Sequence, residues 1–443
     1  MQTTLDPAHA AVGDTDVTRK AAEHRPARSS SWRALRHSDF RRYFIGTVFS
    51  NFGTWLQNTA QMLLAYKLTG SVMAVGIVTC AQFSSVLVLG PWAGMLADRA
   101  KDRRRLLIWT QSGSALVALG LAIFHAAGWL DQRMLIVGAL LIGLSYTFSL
   151  PMFNAIIPTL VPEEDTKAAM AMNTVSYNLG RAVAPVIGVA VVVFIGFTWA
   201  FVLNAVSFVI LAMVLWMVRP GVVERPQRPS RLMDGFRLAL RDRKILLLLV
   251  MVSFATVATD PPNVLGPALA AEEFGHAPGW AGCFIAALGL GNVLGAFVPT
   301  RNISLESAGW YVGGLGIAMV VFSSAPWLWL SIAAGVGGGV AALLAGAATQ
   351  TMLLQRAGPF HAGQVMAVWA IAFAGSRPIA SVLDALLASA TSIRFAGVAF
   401  AFPALLIGVA AVCMRLLPAL TIPVRRILTG PQEAIATSNP RVT

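Results

Sequence analysis

The stretch Gly94-Met95-Leu96-Ala97-Asp98-Arg99-Ala100-Lys101-Asp102-Arg103-Arg104-Arg105 is a knot of charge between two long apolar runs, roughly residues 71–97 and 106–127. Such a cluster cannot lie in hydrocarbon, so the chain must return to water there, on the basic, cytoplasmic side. That loop fixes the direction of every segment on either side of it.

Working outward, the 443 residues are 56% hydrophobic and only 12% charged, with a mean hydropathy of +0.69. An ordinary soluble domain is about 25% charged, so this is a polytopic membrane protein. A spanning helix needs about 20 apolar residues. The polar breaks predict twelve spans, at 44–66, 71–97, 106–127, 134–157, 168–194, 198–218, 245–270, 280–300, 307–324, 327–354, 364–390 and 395–416. The longest break divides them into two six-helix bundles, 44–218 and 245–416. Around these lie a cytoplasmic tail and interfacial segment, 1–43, a central cytoplasmic loop, 219–244, and a cytoplasmic tail, 417–443. Residues 32–43 mix aromatic and basic side chains, as an interfacial helix would.

The net charge of +13 follows the same topology. Basic residues crowd alternate connections: Arg33, Arg36, Arg41 and Arg42, then 99–105, 219–244, Arg301, Arg356, and Arg425 and Arg426. This is the positive-inside pattern and not a surface for nucleic acid, and it places both termini in the cytoplasm. Cys80, Cys283 and Cys413 stand apart in apolar runs without metal-ligand spacing, so no metal or other cofactor is expected. The run 335–339 is glycine-rich but lacks the Lys-Ser/Thr ending of a phosphate loop, and close helix packing is the better reading. No nucleophile–base pair appears at membrane depth, so an enzyme is not expected.

The halves carry a short repeat. Arg181 and Arg377 are 377 minus 181, or 196, residues apart, and Met170-Ala171 and Met366-Ala367 keep the same offset. Duplicated bundles related by an axis along the membrane normal place a substrate site at their interface, near the bilayer midplane.

The charged loop, together with Phe40-Arg41-Arg42, Asn51-Phe52-Gly53-Thr54-Trp55, Leu68-Thr69-Gly70-Ser71 and Gly90-Pro91-Trp92-Ala93-Gly94, resembles the major facilitator superfamily. Within it, the chain looks like the bacterial drug-efflux and siderophore-exporter branch that includes enterobactin exporters. The resemblance implies an all-α integral membrane protein of the bacterial inner membrane. It also implies a monomer that exports a drug, natural product or siderophore by alternating access in exchange for protons. Gly94, Asp98 and Arg99 would then form a gating latch. Three positions depart from the pattern: Lys101 and Asp102 replace a Gly and a base, Ala184-Pro185-Val186-Ile187-Gly188 keeps half of the antiporter motif, and 361–366 replaces a basic Arg-Gly-Arg-Val run. A metabolite facilitator or importer, or a non-transporting membrane sensor, are the other readings of the same scaffold.

Arg181 and Arg377 each lie about 15 residues, hence about 22 Å, into their spans. An arginine at that depth costs at least ~2.5 kcal/mol unless it faces a cavity or a partner. Either both face the substrate cavity, or they form structural pairs or snorkel outward. Asp260, before Pro261-Pro262, reads as the cap of a helix break and as a proton carrier. Asp384, two turns above Arg377, is the competing acid. Gln57 and Gln61, one turn apart, and Asn154 are further cavity candidates.

Overall fold

The computed structural model describes residues 31–100, 102–221, 232–299 and 303–413. The tails, Lys101 and residues 222–231 of the central loop lie outside the described residues, as do the side chains of Asp98 and of residues 361–363.

The first half comprises α1 (Ser38–Thr69), α2 (Val72–Arg99), α3 (Arg103–Ala126), α4 (Gln132–Ile156), α5 (Thr166–Phe194) and α6 (Phe197–Met217). The turns between them follow local chemistry. Gly70, at φ 63°, stops α1, and the Ser71 hydroxyl then accepts from the backbone N–H of Met73 to start α2. Asp102 and Asp131 cap α3 and α4 in the same way.

The second half begins with α7 (Leu232–Arg241), a short helix packed on the basic face. It continues through α8 (Arg243–Ala258), α9 (Ala281–Gly295), α10 (Leu305–Ser324), α11 (Leu328–Ala374), α12 (Ser376–Ala390) and α13 (Ile393–Cys413). Two spans run through α11. Its Arg356 meets Asp242 at the foot of α8, yet its Ala372 carbonyl accepts from Ser253, well up the same helix, so the chain reverses between them.

Among the described residues, eleven segments are long and apolar enough to cross a membrane. The twelfth span is α1, 32 residues long, whose mean hydropathy is lowered by Asn51, Gln57, Asn58 and Gln61. Residues 32–43, expected to form an interfacial helix, divide at His37. A 3₁₀ turn, Ser31–Arg36, leads directly into α1 at Ser38, because Phe40 and Tyr43 are fully buried against Leu211 and Leu215 and draw that segment into the bundle.

Close packing uses glycine where backbones meet. Gly339 of α11 and Gly291 of α9 lie so near the carbonyls of Leu288 and Val336 that no Cβ would fit. The glycine run at 335–339 is therefore a packing surface.

The two halves join along two seams. One pairs α2 with α12, where a Cβ on Gly76 would stand 2.6 Å from the Ser381 carbonyl. The other pairs α5 with α9, where Gly289 abuts Ala182 and Gly282 abuts Val189. Beyond them, the Tyr66 hydroxyl donates to Glu272 across the halves at 2.9 Å. These contacts run from mid-helix to the face opposite the arginine loops, here called the far face. Toward the basic face α2 parts from the other half: a Cβ on Gly94 would meet nothing within 4 Å, and Met95, Leu96 and Arg99 are exposed. Among the described residues, the contacts between the halves thus gather toward the far face.

Candidate functional site

The site grows from a helix that cannot continue. Pro261 and Pro262 lack N–H donors, so α8 stops at Ala258 and resumes as a single turn, Pro261–Val264. Gly266 and Pro267 interrupt it again before a π-helical turn, Leu269–Glu273. The freed polar groups find partners nearby: Thr259 donates to the Thr256 carbonyl and Asn263 to the Thr259 carbonyl. Asp260 holds the capping position, but its carboxylate makes no capping hydrogen bond. It turns instead to the other break in this half, between α11 and α12 at Gly375, and meets Arg377 at 3.7 Å.

That pair is buried, with Asp260 only 1% and Arg377 9% exposed at their side chains. The second Asp260 oxygen, Oδ2, has no hydrogen-bond partner. The Arg377 guanidinium also lies 5.2 Å from the ring centre of Phe83 in α2.

Arg181, 196 residues before Arg377, sits differently. Its guanidinium lies 5.8 Å from the ring centres of both Trp55, in α1, and Phe373, in α11. Phe373 in turn stacks on Trp369 at 5.1 Å. Among the described residues no carboxylate comes within ion-pairing distance of Arg181. Aromatic faces offset part of the cost of a buried cation, and they leave its N–H donors for another acceptor.

Both arginines line one pocket at the junction of the halves, with Trp55, Asn58, Thr59 and Met62 from α1, Asn263 from the broken span and Asn292 from α9. Its volume is about 20 Å³, room for one water. In this state the junction is drawn tight. A second groove, of about 510 Å³ between α8, α12 and α13, is lined by Phe254, Val257, Ile379, Leu383, Phe400 and Pro403 and is almost wholly apolar. Its lining carries two hydroxyl side chains, Ser253 and Ser376.

The other expected residues lie elsewhere. Gln57 accepts from Asn204 of α6 at 2.7 Å, inside the first half. Gln61 is fully buried with both amide atoms unpartnered. The cavity-facing stripe of α1 is Trp55, Asn58, Thr59 and Met62, spaced i, i+3, i+4, i+7; that spacing was the available signal. Gln82 orients Asn58 by donating to its side-chain oxygen at 2.6 Å. Asn154 is exposed in the last turn of α4, away from the pocket. Asp384 is not the partner of Arg377: it is completely buried, with neither oxygen hydrogen-bonded.

In the basic loop, Gly94 and Arg99 face open space, and the Asp98 side chain is outside the described residues. Arg103 donates to the carbonyls of Ala97 and Ala155, and Arg104 to those of Leu215 and Trp216. These are the ends of α2, α4 and α6, where unpaired carbonyls and the helix dipoles favour a cation.

Comparison with known proteins agrees with this architecture. The family model of transmembrane secretion effectors matches residues 29–427. The staphyloferrin A transporter of Staphylococcus aureus is 26% identical over 296 residues, covering 63% of this chain and 73% of that protein. The putative multidrug resistance protein MdtD of Escherichia coli is 25% identical over 292 residues, covering 65% of this chain and 58% of that protein. Among solved structures, the nucleoside transporter NupG superposes with a TM-score of 0.66 at 13% identity, covering 85% of this chain and 100% of that one. An inward-facing, unoccupied bacterial homologue of the human lysosomal transporter Spinster gives 0.63 at 14% identity, covering 85% and 95%.

Proposed function

Since the chain belongs to the transmembrane secretion effector family of the major facilitator superfamily, we propose that it exports small organic molecules across a bacterial inner membrane by alternating access, in exchange for protons. The cargo class is a siderophore, drug or other natural product. The basic face is cytoplasmic by its arginine content, so the described state opens inward. The names of the staphyloferrin A and multidrug relatives support the cargo class.

The observation that carries this reading is the Asp260–Arg377 pair at the junction of the halves, with Asp260 Oδ2 unpartnered. That oxygen is an acceptor for a cargo O–H or N–H or for a proton, and one occupant excludes the other. Such competition is what exchange requires: each solute leaves when the other arrives, and each shifts the balance between two states. An acidic group on the cargo would meet the unneutralised guanidinium of Arg181. The loop carrying Gly94, Asp98 and Arg99 would close against the second half when the inner face shuts.

Binding measured against pH tests the exchange. Cargo drawn from a panel of dyes, antibiotics and catechol-type chelators quenches Trp55 fluorescence. Acidification weakens that binding in the wild type, and Asp260→Asn removes the pH dependence. Binding that ignores pH in both would point to a facilitator.

A further inference from the structure

We propose that Asp384 is a second proton-binding group, a lock on the far-face seam whose protonation holds that seam shut. The proposal rests on the alternating-access reading above, and it assigns a role that the Asp260–Arg377 pair does not fill.

In the seam between α2 and α12, Arg377, Ser381 and Ala385 of α12 meet α2. Ser381 donates to the Gly76 carbonyl at 3.3 Å. A Cβ on Gly76 would stand 2.7 Å from that of Ala385. Asp384 lies between these two contacts in sequence, fully buried, with both oxygens unpartnered. An ionised carboxylate in such a place costs several kcal/mol. A neutral carboxyl costs far less. The closed seam therefore accepts the protonated side chain and penalises the charged one.

The surrounding elements offer no other compensation. The charged group that acts on Asp384 is Asp260, from the broken seventh span, and Arg377, two turns along the same helix as Asp384, is already paired with Asp260. No Asp, Glu, Lys, Arg or His occurs in α2 before Asp98, near its opposite end. In α13 the one such residue, Arg394, is bound to Glu273 at 2.7 Å. In α8 the basic residues Arg243 and Lys244 stand at the opposite end, and Arg356 of α11 pairs with Asp242 at the basic face.

When the halves part, water reaches Asp384 from the far side. The carboxyl gives its proton to that water, and the resulting carboxylate is solvated as long as the seam stays open. Closing requires a proton back from the same side. Acid on the far side thus returns the carrier to its inward-facing state, and the proton balance of each opening and closing is zero.

The test uses the full-length protein with its native cysteines replaced, spin-labelled at Leu68→Cys and Ala390→Cys, one on each half at the far face. In proteoliposomes the label separation is read while the far-side pH is raised from about 5 to about 9, the span over which buried carboxyls titrate. In the wild type the long-distance population grows with pH, by at most about tenfold in the open-to-closed ratio per pH unit for one linked proton. Asp384→Asn stays at the short distance throughout. Asp260→Asn keeps a pH response. The proposal is overturned by a wild-type seam indifferent to pH, by a response that survives in Asp384→Asn, or by one that disappears in Asp260→Asn. The wild-type titration and the Asp260→Asn arm decide it even if Asp384→Asn fails to insert. Failure of cargo–proton competition alongside an intact seam response would overturn the exchange reading and leave this inference standing.

Discussion

The two halves of the molecule share a scaffold and divide the chemistry between them. Their first spans correspond, yet α1 runs 32 residues without interruption, whereas α8 breaks after 16 at Asp260-Pro261-Pro262. Their duplicated arginines also part company. Arg377 is neutralised by a carboxylate from its own half, and Arg181 is held between aromatic rings, one of them, Phe373, from the opposite half. Even the joints at the basic face are inverted. In the first half His37 and Arg33, ahead of α1, meet Asp165 at 2.8 and 3.6 Å. In the second half Asp242, ahead of α8, meets Arg356 at 2.7 Å. The charged positions of the two halves thus differ in sign and partner, and the two acids buried at mid-span among the described residues, Asp260 and Asp384, both lie in the second half.

The largest effect should come from breaking the paired arginine. Arg377→Met leaves Asp260 buried without its partner, and loss of one member of a buried pair costs about 3–5 kcal/mol. Thermal unfolding of the purified protein should show it. Adding Asp260→Asn to Arg377→Met should restore most of the stability while leaving cargo-driven proton movement absent. If the double variant is no more stable than the single, the pair is not coupled as described.

The unpaired arginine should behave otherwise. Removing the cation–π contacts in Arg181→Gln costs about 0.5–2 kcal/mol, less than the change at Arg377. Its main effect should fall on transport, with acidic cargo impaired more than cationic cargo. Equal loss for both cargo types would contradict an anchoring role for Arg181.

A wedge in the seam comes next. Gly76→Val places side-chain atoms where the Ser381 carbonyl and Ala385 now lie, so the far face should open more often. A longer separation between spin labels at Leu68→Cys and Ala390→Cys in this background is the expected readout.

The smallest effect belongs to the joints. Burial pushes the Asp242 carboxyl up, but hydrogen bonds from Arg356 and from the backbone of Lys244 and Ile245 outweigh it and hold it below the usual carboxylate range. The hydrogen bond to His37 does the same for Asp165, helped by Arg33. A carboxyl held low in the folded state contributes stability above its unfolded value, near 4, and loses it as pH falls through the folded value. Acid should therefore loosen both joints, and Asp242→Asn should abolish the second half's share. For the half-buried Asp242–Arg356 pair the change should stay within about 1 kcal/mol, measured by acid titration of thermal stability.

Much of this was legible in the sequence because hydrocarbon tolerates so few arrangements. The charged loop at 94–105 could only be a return to water, and the Asp-Pro-Pro could only be a helix break. Two arginines 196 residues apart, each deep in a span, could be picked out as candidates, and both line the pocket at the junction. Which acid would meet Arg377 could not, since that depends on how a broken helix swings its Asp260 across the gap. The polar face of α1 misled for a related reason. Gln57 and Gln61 lie on one side and Asn58 on another, and helical spacing alone does not tell which side looks at Asn204 and which at the pocket. The aromatic clamp on Arg181 joins Trp55 to Phe373 across the two halves, a contact made by docking and by no local pattern. Nor does a run of arginines announce that two of them will close the carbonyl ends of three helices.

The measurement that bears most directly on the central claim is proton movement in proteoliposomes carrying a pH dye, with wild type compared against Asp260→Asn across the dye, antibiotic and catechol-chelator panel. The account predicts cargo-dependent proton flux in the wild type, opposite in direction to cargo, and none in the variant, which should still insert. Cargo movement without proton flux in the wild type, or equal flux in both proteins, would contradict it.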